Sequence, residues 1–359
     1  MNNQNDYNDN KKITYHEQTD ISNILKLREV LKTLPPFCRD YFRAMDPLTT
    51  TNTRISYAYD IRIFFQFLLD ENPAFKNYSL KDFTVDVLDQ LKAVDIEEYL
   101  EYLKVYKNGD KTETNGERGM KRKLSALRSF YAYYFKHEFI KTNPTVLVDV
   151  PKIHDKSIIR LDSDEVALLL DHIEHCGDEL TGQKRAYYEK TKERDLAIVT
   201  LLLGTGIRVS ECVGLDVEDI DFKNNGIKIT RKGGNEMVVY FGPEVERALR
   251  QYLEVREGVT PVTGHEHALF YSTQRKRIGI QAVENLVKKY ARAITTTKKI
   301  TPHKLRSTYG TALYQETGDI YLVADVLGHR DVNTTKKHYA AMDDARRRKA
   351  ASAVHLRED

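Results

Sequence analysis

Six residues in the second half of the chain carry side chains suited to chemistry at a phosphate. They are two guanidiniums, one ammonium, two imidazoles and one phenol: Arg208, Lys232, His303, Arg306, His329 and Tyr339. Arginine forks two N–H donors onto phosphate oxygens, and an imidazole or ammonium group can donate a proton. A phenol is a weak nucleophile near neutral pH and needs flanking cations and a nearby base. This set suits a reaction at a phosphodiester in which tyrosine attacks and cationic side chains replace a metal ion.

Each of these residues has a simpler interpretation when it is taken alone. A single arginine is most often a surface residue, and a lysine at a hairpin tip, as predicted for Lys232, is commonly just solvated. His329 follows a glycine at a helix end, where histidine is usually a cap, and Tyr339 could simply pack a helix. Glu211 lies one helical turn after Arg208 and is expected to pair with it. The chemical interpretation therefore depends on the six residues occurring together.

Two rival kinds of site are disfavoured by the local sequence. His303-Lys304-Leu305-Arg306 offers neither a second histidine at helical spacing nor a carboxylate pair, so no metal site is predicted there. Gly204-x-Gly206 lacks the third glycine of a dinucleotide-binding turn and follows a helix-like segment rather than a strand.

Composition is that of a globular protein with two domains. The chain has 359 residues, 41% of them hydrophobic and 30% charged, with a net charge of +3 that neither demands nor excludes nucleic acid. Three scattered cysteines favour a reducing compartment without a disulfide framework. No apolar run is long enough to span a bilayer, and the polar first residues contain no secretory signal, so we expect a cytoplasmic protein without membrane insertion.

The first part of the chain predicts an all-α domain. A tail over 1–20 is expected to be disordered, and apolar residues at helical spacing predict a helix over Ile21–Leu34. Another helix carries an apolar stripe at Met120, Leu124, Leu127, Tyr131 and Tyr134. Its other faces are filled by cations, which are Arg118, Lys121, Arg122, Lys123 and Arg128. A loop is predicted over Lys107–Gly116, and a linker that begins with Pro151 and polar residues is predicted over 151–160.

The second part predicts helices around one hairpin. A helix should start at Asp162 or Ser163, and another over Glu193–Leu203 should end at Gly204-Thr205-Gly206. Strands are predicted over 226–230 and 236–240, with Lys232 at their turn. Further helices are predicted over 243–255, 280–294, 304–316 and 320–327, and the tail after Tyr339 should also be helical. The fold class expected is therefore mainly α with a small antiparallel β hairpin or sheet.

In this order and within their local sequences, the six residues resemble the signature of the tyrosine recombinases. These local sequences include Gly206-Ile207-Arg208-Val209-Ser210-Glu211, Thr230-Arg231-Lys232-Gly233-Gly234, Thr301-Pro302-His303-Lys304-Leu305-Arg306 and His338-Tyr339. The likeness is greatest to Xer-type recombinases, particularly the single-protein group of streptococci and lactococci. It implies a helical core-binding domain over 21–150 and an α+β catalytic domain over 161–359 that ends in an exchange helix.

The resemblance also implies a mechanism. Tyr339 would form a 3′-phosphotyrosine, Arg208, Arg306 and His329 would hold the phosphate, Lys232 would be the general acid, and His303 would assist. Neither ATP, metal nor other cofactor would be required. The partner would be a double-stranded DNA recombination site. The five cations on the helix that carries the Met120–Tyr134 stripe would lie against this DNA or, alternatively, form an ordinary solvated face. The free monomer would become a homo-tetramer on two paired sites.

Several functions remain open at this point. Resolution of chromosome dimers at cell division is favoured, with an integrase or excisionase of a mobile element as the alternative. A type IB topoisomerase uses the same chemistry without strand exchange. A non-catalytic DNA-binding relative is disfavoured because all six residues are present, and a metal-dependent nuclease because carboxylate ligands are lacking.

Overall fold

The computed structural model describes residues 14–150, 152, 154, 159–231, 234–329 and 331–333. The chain divides into two compact units, Met1–Asp155 and Lys156–Asp359, and the division lies within the segment predicted as a linker. Across the described ranges, no helix is both long enough and apolar enough to cross a bilayer.

The first unit is mainly helical. Its elements are α1 (Tyr15–Leu31), α2 (Cys38–Ala44), α3 (Thr51–Glu71), α4 (Val87–Gln90), α5 (Ala93–Tyr102), β1 (Val105–Asn108), β2 (Lys111–Thr114) and α6 (Glu117–Lys136). The prediction of disorder to residue 20 is wrong from Tyr15 onward. Thr14 and Glu17 form a capping box that satisfies backbone N–H groups at the helix start, so α1 begins before Ile21, the start that the apolar spacing predicts.

The core of this unit is built mainly from aromatic side chains of α3, α5 and α6. Phe64 and Phe65 of α3 are fully buried, and their rings meet those of Tyr99 and Phe130 edge to face. The apolar stripe predicted on α6 is confirmed, since Leu124, Leu127, Tyr131 and Tyr134 are buried and Met120 packs against the same core. One face of α6 is therefore committed to the interior, and only the other faces can meet a partner.

A short hairpin replaces the loop that was predicted over Lys107–Gly116. Strands β1 and β2 pair antiparallel, with Val105 opposite Thr114 and Asn108 opposite Lys111. Gly109, in the turn, adopts φ +62°, which glycine tolerates without a steric cost. The first unit is thus not purely α, because a polar segment with no apolar alternation still pairs with itself across a tight turn.

The second unit combines helices with one small sheet. Its elements are α7 (Ser163–His175), α8 (Gly182–Thr205), α9 (Val209–Gly214), β3 (Ile220–Asp221), β4 (Gly226–Thr230), β5 (Glu236–Tyr240), α10 (Pro243–Glu257), α11 (Ile280–Ile294), α12 (Pro302–Thr317) and α13 (Ile320–Leu327). The sheet is antiparallel in the order β3-β4-β5, so the predicted hairpin is confirmed and gains a third strand. The mainly α fold class is confirmed as well.

Helix α8 forms the centre of this unit. Its C-terminal half is buried through residues such as Ile198, Leu201 and Leu202. The helix begins eleven residues before the predicted start at Glu193, because its first turns are polar and carry no periodic apolar signal. Asp195 is buried and accepts from Arg194 and, at 3.1 Å, from the hydroxyl of Tyr290 on α11. These bonds fix the helix whose end carries the candidate site.

Candidate active site

Arg208 stands where α8 ends and α9 begins. Gly206 closes α8 in the left-handed conformation, with φ +63°. Arg208 is the residue before α9, and its backbone N–H donates to Glu211 at 2.7 Å. Its Nη1 atom donates to the other oxygen of the same carboxylate at 2.8 Å. The predicted pairing with Glu211 is therefore present, and because the Glu211 side chain is buried it fixes the arginine rotamer.

Arg306 reaches the same place from α12. This side chain is buried, and its Nη1 donates to the Gly206 carbonyl oxygen at 2.5 Å. Its Nη2 donates to the carbonyl oxygen of Leu327 at the end of α13. A guanidinium held in its plane by two carbonyls presents its charge in a defined direction.

The end of α13 provides the third part of the site. Gly328 takes φ +61°, and its N–H donates to the Asp325 carbonyl at 2.8 Å. The His329 N–H donates to the Ala324 carbonyl at 2.9 Å, which completes a glycine-type helix cap. Arg208 Nη2 lies 3.5 Å from the carbonyl oxygen of Gly328. Arg208 and Arg306 are thus brought together with the backbone turn that carries the half-buried His329.

His303 lies on the same helix as Arg306. Helix α12 begins at Pro302, two residues before the predicted start, so His303 is exposed in its first turn and not ahead of the helix. The three-residue spacing places His303 and Arg306 on neighbouring positions of one helical face. Lys232 and Tyr339, and the predicted helix after Tyr339, lie outside the described residues.

One arginine at this site was not singled out from the sequence. Arg231 follows β4, and its Nη2 donates to the Val326 carbonyl at 2.7 Å. Burial lowers the pKa of this guanidinium, and the charge of Arg208 acts in the same direction while that of Glu211 opposes it. The available signal was its place directly before Lys232, but one arginine in a basic turn does not indicate a contact with a distant helix.

The cations predicted along α6 divide into two groups. Arg118, Lys121 and Arg122 are exposed. Lys123 is only 6% exposed, so the prediction that it fills a solvent-facing position is wrong. Arg128 is half-buried and donates to the carbonyls of Thr145 and Val148, so it links α6 to the segment that follows.

Lys123 is buried beside the carboxylate of Asp60, which is also buried and forms an ion pair with it. Its Nζ donates to Asn115 at 2.9 Å and lies 3.7 Å from Asp60. Arg122 donates to the other oxygen of Asp60 at 2.5 Å. Burial raises the pKa of Asp60, and the charges of Arg122 and Lys123 counteract that rise. These residues hold α3, α6 and the segment after β2 together.

Comparison with known proteins agrees with this geometry. The model of the phage integrase family matches residues 160–346. The tyrosine recombinase XerS of Lactococcus lactis subsp. cremoris (strain MG1363) is 32% identical over 341 residues, which cover 88% of this chain and 93% of that protein. The tyrosine recombinase XerC of Caldanaerobacter subterraneus subsp. tengcongensis is 32% identical over 348 residues, covering 93% and 91%.

Solved structures show a similar fold. A complex of the XerH site-specific recombinase after cleavage of a palindromic difH substrate superposes with a TM-score of 0.61 at 22% identity, covering 84% of this chain and 79% of that chain. A lambda integrase dimer bound to a core site gives 0.59 at 17% identity, covering 84% and 93%.

Proposed function

The chain belongs to the phage integrase family of site-specific tyrosine recombinases, and we propose that it cuts and rejoins DNA through Tyr339. The observation that carries this assignment is the meeting of Arg208 and Arg306 at one helix end. Both guanidiniums donate to carbonyls of the turn that leads into His329. Two arginines held at adjacent backbone carbonyls suit recognition of a phosphate, whose charge increases toward the transition state.

The proposed reaction conserves the number of phosphodiester bonds. The Tyr339 oxygen attacks phosphorus, the bond to the 5′ oxygen breaks, and a 3′-phosphotyrosine forms. The departing 5′ oxygen takes a proton from the Lys232 ammonium, and His303 accepts the proton that the Tyr339 phenol loses. A 5′-hydroxyl from the partner duplex then reverses these steps. Because the energy of the bond is kept in the phosphotyrosine, the cycle requires no ATP.

The two arginines and His329 have distinct proposed roles. Arg208 and Arg306 would bind the non-bridging phosphate oxygens and stabilise the charge that develops on them. His329 would donate to the same group from the end of α13. Since Glu211, Gly206 and the α13 carbonyls already orient the guanidiniums, little reorganisation is required when DNA binds.

Resolution of chromosome dimers is the cellular role we favour. The support is that XerS and XerC relatives align over most of this chain and over more than 90% of their own length. The alternative is integration or excision of a mobile element, for which the transposon Tn1549 integrase offers a structural likeness at 22% identity. Recombination of a plasmid carrying two candidate chromosomal sites, compared with element ends, distinguishes these roles.

Assembly on DNA follows from the same proposal. The first unit would act as a core-binding domain and the second as the catalytic domain. Four protomers would pair two sites and exchange strands in turn, while the free protein stays monomeric. A type IB topoisomerase would relax supercoils without joining two sites, so recombination between two labelled sites is the discriminating readout.

The central test is a covalent adduct. The protein is incubated with a labelled, nicked candidate site in the presence of a chelator and analysed on a denaturing gel. Wild type is expected to give a protein–DNA adduct and Tyr339→Phe none, with DNA affinity nearly unchanged because one oxygen alone is removed. Adduct formation by the Phe variant places the nucleophile elsewhere. Loss of the wild-type adduct on chelation contradicts a metal-independent mechanism.

A further inference from the structure

Three arginine side chains from three separate segments of the second unit converge on the last turn of α13. They donate to four consecutive backbone carbonyls, the pairs being Arg231 with Asp325 and Val326, Arg306 with Leu327, and Arg208 with Gly328. The last carbonyls of a helix lack partners within it and carry partial negative charge, so they attract cations. Two of these arginines already have proposed roles in phosphate binding, and Arg231 does not.

The backbone of Arg231 belongs to the turn of the β4–β5 hairpin. Its N–H donates to the Asn235 carbonyl at 2.8 Å, and its own carbonyl accepts from the Gly234 N–H at 3.0 Å. Its side chain meanwhile reaches the Val326 carbonyl. One residue therefore ties the turn of the hairpin to the helix end that carries His329, and the next residue in the chain is Lys232.

The environment of Arg231 is costly for an arginine whose only task is stability. Its Nε atom is buried and has no hydrogen-bond partner among the described residues, and the positive charge of Arg208 lies close enough to act against its own. The fit against Gly328 is also tight, since a Cβ built on that glycine would fall 1.2 Å from Arg231 Nη1. Residues that break local rules in this way are expected at functional sites.

We propose that Arg231 is a positioning residue that fixes the turn of the β4–β5 hairpin against α13, so that Lys232 protonates the leaving 5′ oxygen while the phosphate is held beside His329. This inference rests on the proposed function and adds a residue to it. In the step concerned, the P–O5′ bond breaks, its electron pair goes to the 5′ oxygen, and that oxygen takes the proton of Lys232. Arg231 itself transfers nothing.

The test compares two leaving groups in the full-length protein. A 5′-bridging phosphorothiolate releases a thiolate, which needs no proton, so a defect in acid catalysis disappears on that substrate. General acid catalysis is typically worth about 10²–10⁴-fold. Arg231→Ala is therefore expected to cleave the ordinary phosphodiester about 10-fold or more slowly, with the phosphorothiolate restored to within about 3-fold of wild type. Lys232→Ala should show the same pattern with a larger loss.

Conservative and matched variants keep the test decisive. Arg231→Gln retains an N–H donor and should lose less activity than Arg231→Ala, and it serves if the alanine variant unfolds. Arg256→Ala is the control, because Arg256 likewise holds backbone carbonyls, those of Glu266 and Ala268, and should show no dependence on the leaving group.

Each outcome bears on a different claim. Equal losses on both substrates make Arg231 a phosphate-binding or purely structural residue and overturn the inference, as does wild-type cleavage by Arg231→Ala. A wild-type protein that forms no adduct, or a Tyr339→Phe variant that does, overturns the proposed function instead.

Discussion

The Arg306 guanidinium donates to the carbonyl of Gly206 at 2.5 Å, so a side chain of α12 holds the turn from which Arg208 projects. The two arginines are therefore not independent: the buried one helps to place the half-exposed one. The same guanidinium also donates to the carbonyl of Leu327 at the end of α13. A change at Arg306 thus affects three segments of the candidate site.

Replacing either arginine with lysine should remove most cleavage. A lysine is a point charge and cannot fork onto two phosphate oxygens, and an arginine in such a role can be worth ~10³-fold or more in rate. Adduct formation by Arg208→Lys and Arg306→Lys is measured under single-turnover conditions, alongside DNA affinity. Near-wild-type cleavage by either variant makes that arginine an ordinary structural residue.

The Arg306 variant should also be less stable than the Arg208 variant. Arg306 is 5% exposed, and its guanidinium donates to the carbonyls of Gly206 and Leu327. Losing these hydrogen bonds lowers the free energy of unfolding by about 1–3 kcal/mol for each buried carbonyl left unsatisfied. Urea unfolding of both variants measures the difference. Equal stabilities would mean that these carbonyls find other partners.

Gly206→Ala should damage the site through its backbone. The residue sits at φ +63°, and an added Cβ would lie 2.3 Å from Tyr309 and 3.0 Å from Leu327. The strain of φ alone costs roughly 1–2 kcal/mol, and the clash adds to it. Gly182→Ala is the matched control, because Gly182 has φ +56° and an added Cβ would have no atom of the described residues within 4 Å. Chemical unfolding should show a larger loss for Gly206→Ala, with reduced adduct formation for that variant alone.

The sequence was most informative where chemistry and periodicity coincide. Helices over 280–294 and 320–327 agree with the predicted bounds because periodic apolar residues run to both ends. The local sequences around Arg208 and Arg306 mark these arginines as candidate site residues, but they do not predict that both contact the end of α13. Backbone carbonyls carry no sequence signal, so contacts such as that of Arg231 with Val326 are visible only in three dimensions. The burial of Lys123 escapes prediction for a different reason, since its charged partner Asp60 is distant in sequence.

The exposed cations of α6 should contribute to DNA binding. Neutralising exposed Arg118 and Lys121 is expected to weaken binding across all sequences and to lower the salt slope by up to about one unit for each lost phosphate contact. The slope is measured from affinities over a range of salt concentrations. An unchanged slope would make this face an ordinary solvated surface.

Lys123→Met should destabilise the first unit in a manner that depends on pH. Removing one partner of a buried ion pair typically costs 3–5 kcal/mol. Burial already raises the pKa of Asp60, and loss of the ammonium should raise it further. An acid whose pKa is raised on folding binds its proton more tightly in the folded state, so its contribution favours low pH and is lost as pH rises through the folded pKa.

The stability gap between Lys123→Met and wild type should therefore narrow as pH falls from neutral towards the ordinary pKa of a carboxyl. Unfolding in urea at several pH values measures this gap, and Lys121→Met, at an exposed position of the same helix, is the control. If the difference in the free energy of unfolding between Lys123→Met and wild type does not change with pH, the charge of Asp60 is not the cause of the lost stability.

Truncation after Met342 should separate cleavage from assembly. The residues that follow contain small apolar side chains interrupted by Arg346-Arg347-Arg348-Lys349, and they lie outside the described residues. A segment this short gains too little from helix formation alone to be stable in water and requires a surface to pack against. If that surface belongs to a neighbouring protomer, a head-to-tail exchange can close into a ring on paired DNA sites. The truncated protein should then bind one site and form some adduct, yet fail in cooperative binding and strand exchange, as measured by gel shift and two-site recombination. Full recombination by the truncated chain would instead assign the segment to its own domain.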